Sequence, residues 1–247
     1  MKISVITVCY NSEGYIEDAV KSVICQRYKD VEYIIVDGAS CDNTLSIIDK
    51  YKDHIDLLIS EPDKGIYDAM NKGIEAATGD YIAFLNSDDF YTSDDALSQV
   101  AKSLKKSKTD CIFGNINYVR TEEPSMIVRK WRTGEFVDGG FQLGWHPAHP
   151  TFIVKRDVYK KYGGFDLSFS LAADFELMLR FLVHYQISHV YLDKVIIHMR
   201  LGGATSSSLS NSIKQNKECY NAFKKNNIKV SVFYPLLRIL PKLKQFF

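Results

Sequence analysis

Two adjacent carboxylates stand at the end of an apolar run in the first third of the chain. The run Tyr81–Leu85 is followed directly by Asn86, Ser87, Asp88 and Asp89. Hard divalent cations such as Mg²⁺ and Mn²⁺ prefer oxygen ligands and are often held by one or two carboxylates together with a substrate diphosphate. The segment therefore predicts a metal and phosphate site. Taken alone, it is also consistent with the cap and first turn of a following helix.

Acidic side chains follow two further apolar runs in the same half of the chain. Asp37 ends the run that begins at Val31. Asp63 and Lys64 follow the next short run and precede a helical pattern that carries Asn71. Each group also has a structural interpretation, as a turn, a helix cap or a solvated helix face. Their recurrence at three run ends favours a ligand site.

These polar groups are positioned by strand and helix patterns that alternate over the first ninety residues. Runs rich in β-branched residues predict strands at residues 3–8, 31–36, 56–60 and 81–85. Apolar residues at helical spacing predict the intervening helices at residues 15–24, 42–51 and 66–77. Such alternation predicts an α/β fold with a doubly wound, mostly parallel sheet and helices on both faces. Because ligands of these sheets collect at the carboxyl ends of the strands, we expect the acidic groups to line one cleft.

The second half of the chain is less regular and predicts a smaller β region. Strand patterns occur at residues 110–119, 127–131, 151–154 and 190–199, and helix patterns at residues 156–162 and 174–184. Four glycines between residues 134 and 144 predict a mobile loop that closes over a ligand. No repeat and no linker rich in Pro, Gly or Ser divides the chain.

Composition excludes several classes of function. The chain has 247 residues and a net charge of +1, so no global field points to nucleic acid. Its five cysteines form no CxxC pair, which predicts free thiols in a reducing compartment. We find no signal peptide and no apolar stretch of the ~18 residues that a spanning helix needs. The expected location is the cytoplasm.

Four motifs occur in a fixed order in the first ninety residues: SVITVCYN at residues 4–11, DGASCDNT at 37–44, DKGIYDAMNKG at 63–73 and GDYIAFLNSDD at 79–89. Together they resemble the inverting glycosyltransferases of family 2, which have the GT-A fold. The resemblance continues more loosely to about residue 210. It implies a glycosyltransferase domain over residues 1–210, with a nucleotide-sugar-binding half at 1–95 and an acceptor and catalytic-base half at 96–210.

The resemblance also implies a donor site. Asp37 matches the residue that contacts the donor's base. Asp88 then lies near the ribose or sugar, and Asp89 binds a divalent cation, Mn²⁺ or Mg²⁺. Arg200 stands where many members carry a His, and as an Arg it suits a diphosphate contact rather than a metal. The other predicted donor-binding residues are Thr7, Tyr10, Asn11, Asp63, Lys64 and Asn71.

The catalytic base implied by the resemblance is Asp174, which begins a late helix. Ala173 stands where the family usually has Glu. His149 and Glu176 are the predicted acceptor-binding residues. The implied reaction moves a sugar from a nucleotide-sugar, by family habit a UDP-sugar, to a hydroxyl of a growing cell-surface glycan or a lipid-linked acceptor.

Two alternatives from other classes remain open at this point. A nucleotidyltransferase also combines a parallel sheet, acids and Mg²⁺, but it usually has a Gly-rich loop after its first strand, where this chain has Cys9–Gly14. A non-catalytic nucleotide- or carbohydrate-binding module is the other alternative. The presence of all four acids Asp37, Asp88, Asp89 and Asp174 disfavours it.

Residues 211–247 form a basic and amphipathic tail. After Glu218 the chain carries six bases and no acid, interleaved with aromatic and aliphatic residues. This pattern predicts either an interfacial segment on an anionic membrane or a helix packed on the body or on a second subunit. The predicted partners are therefore the donor, the glycan or lipid-linked acceptor, a membrane surface and a homodimer mate.

Overall fold

The computed structural model describes residues 1–202 and 209–238. Its strands are β1 Ile3–Cys9, β2 Val31–Asp37, β3 Leu57–Ser60, β4 Tyr81–Phe84, β5 Phe90–Tyr91, β6 Cys111–Val119, β7 Ile127–Trp131, β8 Ile153–Lys155 and β9 His189–Arg200. Its helices are α1 Ile16–Ile24, α2 Thr44–Asp49, α3 Ile66–Ala76, α4 Ala96–Ser107, α5 Arg156–Tyr162, α6 Ala173–Leu179, α7 Leu209–Lys225 and α8 Tyr234–Leu237. A π-helical stretch, Arg180–His184, extends α6. Single 3₁₀ turns occupy Lys52–His54, Phe141–Leu143 and His149–Thr151.

These strands form one mixed sheet. The order is β3-β2-β1-β4-β8-β6-β9-β5, and β7 pairs with β6 beside that path. Strands β3, β2, β1 and β4 are all parallel, as the alternating pattern predicts. The short strand β8 then enters antiparallel between β4 and β6. The predicted α/β class with a mostly parallel sheet is therefore confirmed.

Strand β1 shows why the sheet needs helices on both faces. All seven of its residues are buried. Ile6 and Val8 pack in the core beneath α3 and α6, whereas Ile3 and Val5 pack in the core beneath α1 and α4. A central parallel strand that is covered on both sides reads as a continuous apolar run, which is what makes it recognisable in the sequence.

The C-terminal helices share the core of the sheet. Cys219 and Phe223 of α7 and Tyr234 of α8 are fully buried and belong to the cluster that includes α6. The Phe223 and Tyr234 ring centroids lie 4.9 Å apart. The described part of the tail is therefore packed on the body, and the bases Lys242 and Lys244 lie outside the described residues. No helix in the described ranges is long and apolar enough to cross a bilayer.

The segment with the predicted mobile loop is also packed. Phe141 is buried, and its ring lies 5.5 Å from that of Phe175. Gly144 has a φ of +86°, and a Cβ at this position would lie 2.6 Å from Cα of Arg238. The glycine-rich segment is thus held from one side by α6 and from the other by the C-terminal segment.

Candidate active site

A cavity of about 1690 Å³ opens at the carboxyl edge of the parallel strands. Its floor is formed by the residues that follow β1 and β4 and by the turn before α3. The start of α6, strand β7 and the C-terminal segment complete the walls. Seven of the predicted site residues line this cavity: Tyr10, Asn11, Asp63, Asp88, His149, Asp174 and Arg200.

Asp88 and Asp89 face different environments. Asp88 lines the cavity, and burial raises the pKa of its carboxyl while the charges of Arg200 and His149 lower it. Asp89 is fully buried and does not line the cavity. Its Oδ1 accepts from the Arg200 backbone N–H at 3.3 Å, and burial with the adjacent Asp88 raises its pKa well above the usual range.

The predicted division of labour, with Asp89 on the metal and Asp88 near the ribose or sugar, stays a prediction, and Oδ2 of Asp89 is buried without a hydrogen-bond partner among the described residues. Asp88 and Asp89 lie in a tight turn, which the Asp89 N–H closes on the Asn86 carbonyl at 3.1 Å. The turn leads straight into β5, where Phe90 pairs with His198 of β9. Asp89 thus lies beneath the floor of the cavity, whereas Asp88 lines the cavity.

Arg200 lines the cavity but is committed to protein groups. Its guanidinium forms an ion pair with Asp18 and donates to the Asp88 carbonyl at 2.8 Å. The guanidinium also lies over the rings of Tyr15 and Phe90, at 5.5 and 4.9 Å. Only 3% of the side chain is exposed. In this arrangement Arg200 holds the Asp88 loop against α1 rather than reaching toward a diphosphate.

Asp37 and Thr7 lie behind the cavity wall. The Asp37 carboxylate is fully buried and accepts from the Ser60 hydroxyl at 2.7 Å and from the Ser40 N–H at 3.1 Å. Thr7 is also fully buried, and its Oγ1 accepts from the Tyr33 hydroxyl at 3.2 Å. Thr7 shares the strand face of Val5, so the pleat directs it into the core beneath α1. Neither side chain lines the cavity, although the sequence predicts that both contact the donor.

Two further predicted donor residues lie outside the cavity lining. Lys64 is exposed, and its backbone N–H donates to Asp68 at 3.0 Å. Asn71 exchanges two hydrogen bonds with the backbone of Phe165, at 2.8 and 2.9 Å. A Cβ on Gly164 would lie 2.3 Å from the Asn71 carbonyl oxygen, so the glycine permits this close contact. Asn71 thus ties α3 to the segment before α6 instead of facing a donor.

Asp174 stands at the first turn of α6 with partners on both oxygens. Its Oδ1 accepts from the Tyr67 hydroxyl at 3.2 Å, and Nδ1 of His149 lies 3.4 Å from its Oδ2. The side chain is 22% exposed and lines the cavity. Burial and the Asp174 charge raise the Tyr67 pKa well above its usual range, so this phenol stays a proton donor. The predicted base and the predicted His149 are therefore neighbours.

Glu176 points away from the cavity into the body. It is 1% exposed and accepts from Arg180 at 2.9 and 3.1 Å and from Asn226 at 3.0 Å. Two residues along a helix turn a side chain by about 200°, so Glu176 faces opposite to Asp174. The prediction that Glu176 binds the acceptor is wrong for this structure, where it is a buried ion-pair partner.

Several residues that line the cavity are not among those predicted from the sequence. Ser12 and Ser87 join the first and fourth strand ends through a 2.9 Å contact between their hydroxyls. Tyr67 lies within the motif at residues 63–73, so the sequence could have identified it as a site residue. Trp131 and Arg238 carried no local signal, because long-range packing alone brings β7 and the C-terminal segment to the cavity.

Divalent-cation binding can be tested against the residues that are present. In residues 1–202 and 209–238, no three His, Cys, Asp or Glu side chains converge as a metal cage. Asp88 supplies one carboxylate to the cavity, and Oδ2 of the adjacent Asp89 is buried without a hydrogen-bond partner in these same ranges. These features fit a Mg²⁺ or Mn²⁺ ion held by one carboxylate and mainly by a substrate diphosphate.

The fold and the site define a class: an α/β transferase-type protein with acids at the carboxyl edge of a parallel sheet. Comparison with known proteins makes this specific. The model of glycosyl transferase family 2 matches residues 4–163. The chain belongs to glycosyl transferase family 2, and it is a glycosyltransferase.

Two relatives by sequence are bacterial. An uncharacterized glycosyltransferase of Mycobacterium tuberculosis is 33% identical over 187 residues, covering 72% of this chain and 68% of the relative. TuaG of Bacillus subtilis, named for teichuronic acid biosynthesis, is 39% identical over 119 residues, covering 47% of this chain and 46% of TuaG.

Two solved structures share the fold at low identity. S. aureus TarS in complex with UDP has a TM-score of 0.68 at 20% identity, covering 95% of this chain and 68% of TarS. A mannosyltransferase from Pyrobaculum calidifontis, in complex with GDP-Man and Mn²⁺, has a TM-score of 0.67 at 19% identity, covering 98% and 69%. Together with the sheet order, these likenesses establish the GT-A-like fold.

Proposed function

We propose that this chain is an inverting glycosyltransferase that moves a sugar from a nucleotide-sugar, a UDP-sugar first, to a hydroxyl of a cell-surface glycan or a lipid-linked acceptor. One observation carries the proposal. Asp88 from the first half of the chain and Asp174 from the second half line the same cavity. The first half thus offers an acid for the donor side, and the second offers a base for the acceptor.

Asp174 is proposed as the general base. Inversion requires a base on the face of the sugar opposite the leaving group, and a carboxylate is sufficient to take the proton of the attacking hydroxyl. Tyr67 occupies Oδ1, so Oδ2, which faces His149, is the oxygen that accepts the proton. As Oδ2 becomes protonated, His149 provides a neighbouring polar group that keeps the carboxyl in its orientation.

We propose that Asp88 binds the nucleotide-sugar donor. The ribose and diphosphate lie between it and the Tyr10 and Asn11 segment, which lines the same part of the cavity. A divalent cation bound here would stabilise the negative charge of the departing nucleoside diphosphate. The complexes of TarS with UDP and of the mannosyltransferase with GDP-Man and Mn²⁺ support a nucleotide-sugar donor and a metal for this chain. We also propose that Asp37 contacts the nucleobase of the donor, which requires the Ser40 and Ser60 hydroxyls to turn away from its carboxylate.

The acceptor class rests on relatives. TuaG is named for teichuronic acid biosynthesis, a name that supports a surface polymer as the acceptor here. We further propose that the protein acts in the cytoplasm, at the membrane face where lipid-linked acceptors are exposed. The membrane contact predicted for the tail at residues 211–247 is part of this proposal, and residues 239–247 of that tail lie outside the described residues. A homodimer remains a prediction.

The test is a panel of UDP-, GDP- and dTDP-sugars, titrated by calorimetry with and without Mn²⁺ and followed by hydrolysis assays. We expect one donor to bind with Mn²⁺ and to be hydrolysed slowly. The variant Asp174→Asn should bind this donor like the wild type but lose about 10²- to 10⁴-fold in transfer rate, the usual contribution of a general base. Asp53→Asn, an exposed acid far from the cavity, is the matched control. Equal binding of all nucleotides without metal, or of none, would contradict the proposal.

A further inference from the structure

One wall of the cavity is basic, whereas its floor is acidic. The acids Asp63, Asp88 and Asp174 lie at the strand ends and at the start of α6. Across from them, Lys130 of β7 and the following Arg132 line the cavity. Both are exposed. Within the described ranges neither has a carboxylate within salt-bridge distance, and Nη1 of Arg132 donates to the Asn117 amide oxygen at 3.4 Å. The wall therefore carries uncompensated positive charge.

A third base joins this wall from the C-terminal segment. Arg238 lines the cavity, yet it is only 4% exposed. Its Nη1 donates to the neutral Asn216 side chain at 2.9 Å, and its Nε is buried without a hydrogen-bond partner. In the described part of the chain no acid pairs with it. A buried cation without a counter-charge is costly, so a ligand that brings an anion would gain from binding beside it.

The position of Arg238 assigns this wall to the acceptor. Its guanidinium lies over the ring of Phe175, 5.7 Å from the centroid, and Phe175 directly follows the proposed base. The acceptor hydroxyl has to reach that base. The donor's diphosphate is expected instead beside Asp88, where Arg200 is the neighbouring cation. A group bound at Arg238 is therefore next to the attacking hydroxyl.

Aromatic rings connect the neighbourhood of Arg238 to strand β7. The His146 ring lies 5.6 Å from that of Phe175 and 5.1 Å from that of Trp131, which is adjacent to Lys130. Trp131 and His146 both line the cavity. Aromatic rings flanked by bases suit a sugar ring that carries a negative substituent, because the ring packs on the apolar face while the anion pairs with Arg or Lys.

We infer that Lys130, Arg132 and Arg238 bind an anionic group of the acceptor glycan, a phosphate or a carboxylate. This inference rests on the proposed transferase function and narrows its acceptor to a negatively charged chain. Binding of that group at the basic wall directs the neighbouring sugar hydroxyl to Asp174.

The two tryptophans of the chain, Trp131 and Trp145, both line the cavity, so intrinsic fluorescence reports on its occupancy. The probes are an oligogalacturonate, a glycerol phosphate oligomer and a neutral malto-oligosaccharide of equal length. Each is titrated with saturating UDP and Mn²⁺ and again without nucleotide. We expect an anionic oligomer to bind about tenfold more tightly than the neutral one. The stronger of the two anionic probes identifies carboxylate or phosphate.

Variants then locate the binding site. The double variant Lys130→Gln/Arg132→Gln should weaken binding of the anionic oligomer by about tenfold and leave the neutral one unchanged. Arg238→Met, which keeps the apolar stem on Phe175, should act in the same direction. Lys102→Gln/Lys106→Gln removes two exposed charges from α4 and is the matched control.

Equal affinity of the wild type for anionic and neutral oligomers would overturn the inference, as would unchanged anionic binding in both basic-wall variants. A fall in UDP affinity as large as the fall in oligomer affinity would reassign the wall to the donor and would also overturn it. Failure of the proposed function gives a different result, since no nucleotide would then bind while the oligomer titrations without nucleotide still report on the basic wall.

Discussion

Replacing Glu176 separates a structural role from the acceptor role that the sequence predicts. The side chain accepts three hydrogen bonds, two from Arg180 and one from Asn226, and it is 1% exposed. Substitution by Ala would leave the Arg180 guanidinium, 13% exposed, without its counter-ion. Breaking a buried pair in this way costs about 3–5 kcal/mol.

The lower part of that range applies here. Arg180 keeps its hydrogen bonds to the carbonyls of Tyr162 and Gly164, so part of its hydrogen-bonding capacity stays satisfied. We therefore expect Glu176→Ala to lower the free energy of unfolding by about 3 kcal/mol. For a chain of this size that corresponds to a fall in Tm of roughly 6–12 °C. Thermal and urea unfolding followed by circular dichroism measure it.

A second variant tests the same reasoning from the other direction. Glu176→Leu combined with Arg180→Met removes both charges and should cost less than Glu176→Ala, because no buried charge is left unpaired. Below the transition, the transfer rate and the acceptor KM of folded Glu176→Ala should match the wild type. Unchanged stability together with a raised acceptor KM would refute this reasoning and return Glu176 to the acceptor site.

Three further predictions concern other parts of the chain. Asp88→Asn should weaken donor binding in Mn²⁺ by about tenfold or more and leave metal-free binding nearly unchanged, which calorimetry measures; an equal loss in both would exclude a metal role for Asp88. Gly144→Ala should destabilise by about 1–3 kcal/mol and expose the C-terminal segment to protease, because its φ is +86° and a Cβ would meet backbone at 2.6 Å. The control is Gly139→Ala: Gly139 has a φ of +77°, but a Cβ there would meet no atom within 4 Å. This variant has the backbone strain without the clash, so it should not expose the C-terminal segment to protease. In the native state a thiol reagent should modify Cys25 and Cys41 rapidly and the three buried cysteines only on unfolding, so modification of more than two would contradict the packing.

Local pattern was sufficient for much of the fold. The parallel strands β1, β2 and β4 were visible because a strand covered on both faces must be apolar throughout. The sequence predicted a strand at residues 151–154, but it did not reveal that this strand, β8, enters the sheet antiparallel between β4 and β6. Nor did it reveal β5, two residues long, because such short strands have no periodicity of their own and form only where a partner is already in place.

The candidate site was likewise predictable from the sequence only in part. Strand-end position alone brought Asp63 and Asp88 to the cavity, since the carboxyl ends of parallel strands share one edge. Asp174 reached the same cavity because it begins α6, as the motif implied. Asp89 and Glu176 carried equally suggestive patterns, and the structure buries both. A motif specifies residue types and spacing, but it does not specify which way each side chain points.

The sequence by itself determined the family, the α/β class and the set of acids from which a transferase site is built. Tertiary structure decided which acids line the cavity: the turn into β5 places Asp89 under the floor, and helix rotation turns Glu176 onto Arg180. It also decided that Arg238 belongs to the cavity wall, because α7 and α8 pack on α6 and carry it there. Direction and long-range proximity are set by packing between elements, and neither is encoded in a local stretch of residues.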